Sequence, residues 1–470
     1  MEVYHVKKPL SPALKTFYGI GDLGFSLMTS VGMYFQTYFL TDVAGFNLAL
    51  VGLIITIPGI FDAVFAPVYG AIIDAVKPMK WGKYRSWLIL TPPLVVVLMT
   101  MTYTKIGSDA VAAAIIIACT LLARPLFNIP WVANVALISV LANDPSERVL
   151  LSSRRAFWTN LSRVFFSYIG SPLALYFGAK TNPITGYAIL QFLMATSMMI
   201  GYFIHFKMTE GYEEVTSDTK QSAAQTAPKA KEKTSLKDLL SNLFQNPPLM
   251  ALLFADFGRY LAMFTMTACI AYYFTYVAEN MALMPPFMLI TALAGVAGSL
   301  ATPILNKKLK TRGTSIIGLL LAGGLMLFAK FVGLQTYIFM AVCTLAQFFM
   351  GMLASTLVAL YGDTVIYGEW KTGKNTAGFI MGLMNLPLKI GSLARGVIMT
   401  AALAGIGFVA GMEPTLALKQ GILNIYVVMP GIGLVLAGLI LLFAFRLTDA
   451  RLKEMTEEIE ARKTQVIVES

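Results

Sequence analysis

Residues 53–74 read LIITIPGIFDAVFAPVYGAIID. The stretch carries two charged side chains, Asp62 and Asp74. Asp74 closes the run and, at a helix end, reaches water. Asp62 lies about twelve residues further in, ~18 Å along a helix axis. With its apolar flank from residue 48, the stretch exceeds the ~20 residues that cross a bilayer as a helix. It therefore predicts a membrane span with a carboxylate at depth, which needs a partner or a purpose.

Outward from there the same pattern repeats. Apolar blocks of roughly 20 to 30 residues alternate with short charged stretches, the mark of a polytopic helical membrane protein. Over 470 residues the chain is 57% hydrophobic and 13% charged, with a mean hydropathy of +0.69. Soluble domains carry about 25% charged residues. The blocks predict twelve spans, at 18–42, 48–74, 86–105, 109–141, 154–178, 183–206, 250–279, 283–305, 314–333, 336–362, 375–408 and 416–446. The net charge of +11 sits in the gaps between blocks, not on one basic face, which excludes a nucleic-acid binder. Cys119, Cys269 and Cys343 each lie inside an apolar block and read as free thiols. The N-terminal MEVYHVKKPLSPALKTF has no signal-peptide core.

Lysine and arginine set the expected orientation. They gather at Lys7, Lys8 and Lys15, in KPMKWGKYR (77–85), at Arg148, Arg154 and Arg155, in NKKLKTRG (306–313), and at Lys371 and Lys374. The intervening loops carry at most a lone lysine. A multi-pass protein of the cytoplasmic membrane, both termini inside, follows. EGYEEVTSDTKQSAAQTAPKAKEKTS (210–235) has little to bury and predicts a flexible linker. The expected organisation is a six-helix half over 1–206, a cytoplasmic linker over 207–249, a second six-helix half over 250–446 and a cytoplasmic tail over 447–470. The halves echo one another: a basic loop follows the second helix of each. A mixed-charge segment follows the fourth, NDPSERVLLSSRR (143–155) and YGDTVIYGEWKTGK (361–374). Two parallel six-helix halves with a midplane site between them is the major-facilitator plan, an all-α membrane fold. The tail LTDARLKEMTEEIEARK (447–463) predicts a solvated or membrane-resting amphipathic helix.

Several motifs together resemble the glycoside–pentoside–hexuronide:cation symporter family. They are YGIGDLG (18–24), FLTDVAG (39–45), IFDAVFAPVYGAIID (60–74), WGKYRSW (81–87), GDTVIYGEWKTGK (362–374), LKIGS (388–392) and FRLTDARLKEM (445–455). They run in order along the whole chain. The resemblance implies a secondary transporter working by alternating access.

It also implies roles for residues. In the family, two acids four residues apart on span two line a cation site. Asp62 matches the first; the second position is Ala66, the residue before it is Phe65, and a hydroxyl of span four is replaced by Pro125. Sodium needs several oxygen ligands, by analogy with other hard cations. A proton needs one carboxylate whose pKa burial can raise. Proton coupling is therefore expected rather than sodium. Lys389, in LPLKIGSLARG (386–396), matches a family lysine that faces the acidic cluster, and is the expected partner of Asp62 in coupling. The family's sugar-holding acids of spans one and four correspond to Ser26 and Asn128, and an arginine of span five to Arg155 or Arg154.

Other candidates for the solute site come from the residues themselves. Arg124 lies one turn before Asn128, with no acid beside it in sequence. Arg259 lies three residues after Asp256, on one helix face, where the two can pair. Arg395 is another deep cation, and Asp22 lies about one turn into span one. Trp131, with Tyr34, Tyr38 and Tyr272, offers rings to a sugar. Acids lost and cations kept favour an anionic solute, such as a hexuronide. Lys83, Arg85, Glu147, Arg148, Asp363, Glu369 and Lys371 are expected to form a charge network at the cytoplasmic rim. No catalytic triad, metal cluster or phosphate loop stands out, so neither an enzyme nor a cofactor is expected. His5 and His205, the only histidines, both read as lying at membrane ends. The expected function is symport of a sugar-like solute with a proton by a monomer. Lipid-like cargo, or a non-transporting receptor on the same fold, remain open at this point.

Overall fold

A computed structural model describes residues 8–76, 79–213, 245–373 and 377–469. Most of the expected linker, and Lys7, Lys77 and Lys374, lie outside these residues. The described chain is helical, apart from a single bridge between Met79 and Gly82. It supplies the twelve spans, and eight helical stretches are long and apolar enough to cross a membrane, one of them, Met281–Ala329, holding spans eight and nine. Spans one, three and five fall outside that set. Span three is divided at Thr91 into Trp87–Leu90 and Pro92–Met101. Span five runs as Pro145–Lys180, with Arg148, Arg154 and Arg155 in its first turns. Spans eight and nine share the run Met284–Ala329, broken at Lys310 (φ 60°, ψ 167°) inside the basic loop. A left-handed lysine is strained; here its ammonium pairs with Asp449 at 2.9 Å.

The chain divides into two compact units, one built mainly on Met1–Thr226 and the other mainly on Ala227–Met281, Ile290–Ile406 and Glu413–Ser470. Each repeats the same packing. In the first, span one (Ile20–Tyr38) packs on spans five and six, and span two (Leu48–Ala75) on span four (Asp109–Leu141). In the second, span seven (Pro247–Tyr272) packs on spans eleven and twelve, and span eight on span ten (Thr336–Thr372). Small residues set the close approaches. A Cβ on Gly24 would stand 2.5 Å from the span-six backbone at Ser197 and Met198, and one on Gly298 only 1.8 Å from the Phe348 carbonyl of span ten.

The repeat reaches individual hydrogen bonds. Span one ends in a π turn, Phe39–Val43, and span seven in another, Tyr273–Val277. In the first, the amides of Ala44 and Phe46 donate to the carbonyls of Phe39 and Leu40; in the second, those of Ala278 and Asn280 donate to Tyr273 and Phe274. Each turn is followed by a left-handed residue, Gly45 (φ 68°) and Glu279 (φ 51°). Glycine adopts that conformation freely; Glu279 adopts it while paired with Lys419.

Cys119, Cys269 and Cys343 are free thiols. The tail forms the helix Asp449–Glu469, and it docks on span ten. The Trp370 indole donates to Glu458 at 2.6 Å, Arg462 donates to the Trp370 carbonyl at 2.9 Å, and Arg451 lies over the ring at 5.2 Å. The tail helix thus meets the end of span ten, where an indole and a backbone carbonyl offer it partners.

Candidate functional site

Asp62 sits in the middle of span two and takes its partners from span four and from its own helix. Its Oδ2 pairs with Nη1 of Arg124 at 3.0 Å. Its Oδ1 accepts from Asn128 Nδ2 and from the Tyr69 hydroxyl, each at 3.0 Å. Asn128 Nδ2 also donates to the Arg124 carbonyl at 2.9 Å, so the amide presents hydrogens, not oxygen, to the carboxylate. Helical spacing builds this site. Asp62 and Tyr69 are two turns apart on one face of span two; Arg124 and Asn128 are one turn apart on one face of span four. Tyr69, Ile73, Ile129 and Ala133 pack together and hold the two faces in register. The pair stays partly open: the side chains of Arg124 and Asp62 are 24% and 32% exposed. The counter-ion that the sequence placed in Lys389 is supplied here by Arg124, which does have an acid beside it, brought by the fold. Lys389 lies on span eleven with its side chain exposed.

A second pair is sealed. Asp22, at the start of span one, binds Arg155 of span five through both carboxylate oxygens, Nε reaching Oδ2 at 2.8 Å and Nη2 reaching Oδ1. The two side chains are 4% and 14% exposed. Asn134 of span four donates to Asp22 Oδ2 at 3.0 Å, and its Oδ1 lies 3.0 Å from His205 Nδ1 on span six. The Gly19 amide donates to His205 Nε2 at 3.0 Å. Nε2 is therefore an acceptor, and the ring is the neutral tautomer with its proton on Nδ1, donating to Asn134. Tyr18 stacks on the imidazole at 5.1 Å and donates to the Asn134 carbonyl at 2.8 Å. Four spans meet here in a chain of satisfied polar groups. Arg154 instead donates to the Lys15 carbonyl at 2.9 Å. Trp131, 38% exposed, lies over the Arg155 guanidinium at 5.8 Å and beside Phe25.

In the second unit, Arg259 pairs with Asp256 on the same helix: Nε and Nη2 each lie 2.7 Å from Oδ1. Tyr361 of span ten donates to Asp256 Oδ2 at 3.3 Å, and the Tyr260 ring lies 4.0 Å from the guanidinium. This pair is buried, which agrees with its spacing and takes Arg259 up in a pairing of its own. Arg395 is buried on span eleven. On span one the backbone carbonyl of Ser26 accepts from the Ser30 hydroxyl at 2.7 Å.

Two members of the expected rim network do other work. Arg85 is buried against the end of span six, donating to the Phe206 carbonyl at 2.7 Å and to Thr209 Oγ1 at 3.1 Å, with the Phe206 ring 4.6 Å away. Burial lowers its pKa, while Glu210 and Glu213 pull it up. Unpaired carbonyls at a helix C-terminus favour a cation there. Glu147 reaches back to the Asn143 amide at 2.8 Å, while the Glu147 amide donates to Asp144 at 2.9 Å. That reciprocal cap starts span five. Glu213, just past span six, accepts from the Tyr84 and Arg85 amides at 2.9 and 3.1 Å and ties the basic loop to the head of the linker. Lys83 lies in the loop after span two, Arg148 in the first turn of span five, and Asp363, Glu369 and Lys371 in the last third of span ten.

Residues 17–449 match a family described as MFS/sugar transport protein. The chain belongs to that family. These are the glycoside–pentoside–hexuronide:cation symporters of the major facilitator superfamily. The chain is 28% identical over 446 residues to an isoprimeverose transporter of Lactiplantibacillus pentosus, covering 93% of this chain and 90% of the relative. It is also 28% identical over 454 residues to a glucuronide carrier protein homolog of Escherichia coli strain K12, covering 95% of each. A solved D-xylose-proton symporter superposes with a TM-score of 0.63 at 13% identity, covering 91% of this chain and 96% of that one, and shares the fold. This MFS sugar transporter is thus a multi-pass membrane protein and a cation-coupled symporter of sugars or glycosides, not an enzyme.

Sequence patterning singles out none of Asn134, Tyr69 and Glu213 in this transporter, and it leaves His205 at a membrane end. His205 reads as an end residue because it lies three residues before the last of its helix, Pro183–Met208. It is fully buried because span one begins beside it. The seven-residue step from Asp62 to Tyr69 was the one available signal.

Proposed function

We propose that this MFS sugar transporter couples uptake of a sugar-like solute bearing a negative charge to uptake of a proton, as a monomer in the cytoplasmic membrane with both termini inside. Asp62 is the titrating group, and Arg124, Asn128 and Tyr69 are its partners.

The observation that carries this proposal is the company Asp62 keeps. A sodium site needs several oxygens pointing inward. Around Asp62 stand a guanidinium, an amide NH2 and a phenol, all donating hydrogens. The paired guanidinium at 3.0 Å opposes any second cation; once it leaves, a proton needs only the freed carboxylate oxygen, whereas sodium still lacks ligands. An Arg124 guanidinium with its buried Nε unpartnered favours an anionic solute. The glucuronide carrier relative fits that class and the isoprimeverose transporter a neutral one, at equal identity, so the arginine is what supports the charge.

The test is uptake of radiolabelled methyl β-D-glucuronide by proteoliposomes under an imposed pH gradient, acid outside. Wild-type vesicles accumulate it above the external concentration; Asp62→Asn vesicles exchange internal for external solute but do not accumulate. Equal accumulation by the variant, or accumulation driven by a sodium gradient alone, defeats the proposal.

A further inference from the structure

Protonation and solute binding at Asp62 have to be linked by something, and the geometry of the Arg124 pair contains the link. We infer that the solute's anionic group displaces Asp62 from Arg124, and that the released carboxylate takes the proton, so that the site carries no net charge whether empty or fully loaded. This rests on proton coupling at Asp62 as proposed above.

The two oxygens of Asp62 are not equivalent. Oδ1 is held by two donors, Asn128 Nδ2 and the Tyr69 hydroxyl. Oδ2 is held by Arg124. A carboxylic acid keeps one acceptor oxygen and carries the proton on the other. The existing bonds therefore assign the acceptor role to Oδ1 in both states. Oδ2 is the atom that receives the proton once the guanidinium leaves it. Among the described residues, the charged and titratable groups bonded to Asp62 are Arg124 of span four and Tyr69 of its own span.

Arg124 is equipped to change partners. A guanidinium has five N–H donors and matches a carboxylate two at a time. Nη1 engages Asp62, and Nε is buried with no hydrogen-bond partner among the described residues. Partial exposure leaves both side chains within reach of an incoming group. By contrast Arg155 spends two nitrogens on one carboxylate in a sealed pocket and has no such vacancy.

Charge balance then dictates obligatory coupling. Empty, the site holds Asp62 carboxylate and Arg124 guanidinium, and is neutral. With solute anion and proton together it holds a neutral acid, the guanidinium and the anion, and is again neutral. Anion alone leaves it negative, and proton alone leaves it positive. A net charge moved through a low-dielectric bundle is penalised, so only the neutral states change conformation readily. A neutral sugar with a proton would leave the site positive, so a singly charged anion is the matching cargo.

The experiment separates the two driving forces. Proteoliposomes take up methyl β-D-glucuronide under a pH gradient with potential clamped, or under a valinomycin–potassium potential with pH equal on both sides. The pH gradient is expected to drive accumulation, and the potential, inside negative, to drive none. In detergent, binding of the glucuronide is expected to take up about one proton from solution, measured with a pH indicator, and binding of the neutral methyl β-D-glucoside none. Arg124→Gln weakens glucuronide binding by at least about tenfold. Asp62→Asn with Arg124→Gln, which leaves no unpaired charge and so guards against misfolding, binds either sugar without proton uptake. Accumulation driven by potential alone, glucuronide binding without proton uptake, or an Arg124→Gln affinity within about twofold of wild type overturns the exchange. Failure of the pH gradient itself to drive uptake overturns the proton-coupled function instead.

Discussion

The two halves use ion pairs differently. Among the described residues, both membrane-embedded pairs of the first half join separate spans: Asp22 to Arg155 links one and five, and Asp62 to Arg124 links two and four. The second half has Asp256 with Arg259, both on span seven. A pair on one helix travels with that helix and reports nothing of its neighbours. A pair between helices resists their separation. Breaking a buried pair costs far more than the pair contributes, because the remaining charge is stranded. Within the first half a second contrast appears. The Asp22 pair is 4% and 14% exposed and locked through Asn134 and His205, while the Asp62 pair is 32% and 24% exposed and held by fewer bonds. The same two functional groups make a fastening where they are sealed and an exchangeable contact where they are open.

The sharpest way to break this contrast is at the sealed pair. Arg155→Ala strands Asp22 among Asn134 and Tyr18 and should destabilise the protein by about 3–5 kcal/mol. The readout is thermal unfolding in detergent. Asp22→Asn combined with Arg155→Gln should recover much of the loss, and a double variant no better than the single one would show that geometry, not charge, dominates there. Asp256→Asn should cost less, about 2 kcal/mol, since Arg259 keeps the Tyr260 ring at 4.0 Å and only the Tyr361 bond between spans is weakened. A loss as large as that of Arg155→Ala would erase the distinction between one-helix and two-helix pairs.

The smallest effect lies outside the bilayer, at the cap of span five. The Ser146 hydroxyl and the Glu147 amide, bonded to Asp144, hold its pKa below the ordinary 3.8. A carboxylate with a depressed folded pKa contributes stability above its unfolded value and loses it as pH falls through the folded one. Asp144→Asn should therefore lower stability slightly at neutral pH and converge on wild type as pH falls below about 4. Melting curves from pH 3 to 7 check this, and a difference at pH 3 as large as at pH 7 would count against the cap as its origin.

Much of the architecture could be read from residue order. Block length and the placement of lysine and arginine located all the spans, including the break near Lys310, because crossing hydrocarbon demands a long apolar helix whatever its neighbours are. Span five was drawn too short, since its first turns carry arginines that look like loop until a cap and Asp22 are seen to hold them. At the site, Asp62 stood out because a carboxylate at depth is costly anywhere. Its partner did not. Lys389 and Arg124 were both deep cations, and nothing in their order along the chain ranks one above the other.

Alone, the sequence determined that this chain spans the membrane many times, in two similar halves, with a carboxylate in span two that must be answered by something. Only the tertiary structure decided what answers it. Helical spacing puts Asp62 with Tyr69 on one stripe and Arg124 with Asn128 on another. Whether two stripes face each other depends on the rotation and approach of spans two and four, which the packing around Ile129, Ala133 and Ile73 sets. Charge at depth is a local cost visible residue by residue; its compensation is a distance, and distances between helices exist only once the helices are packed.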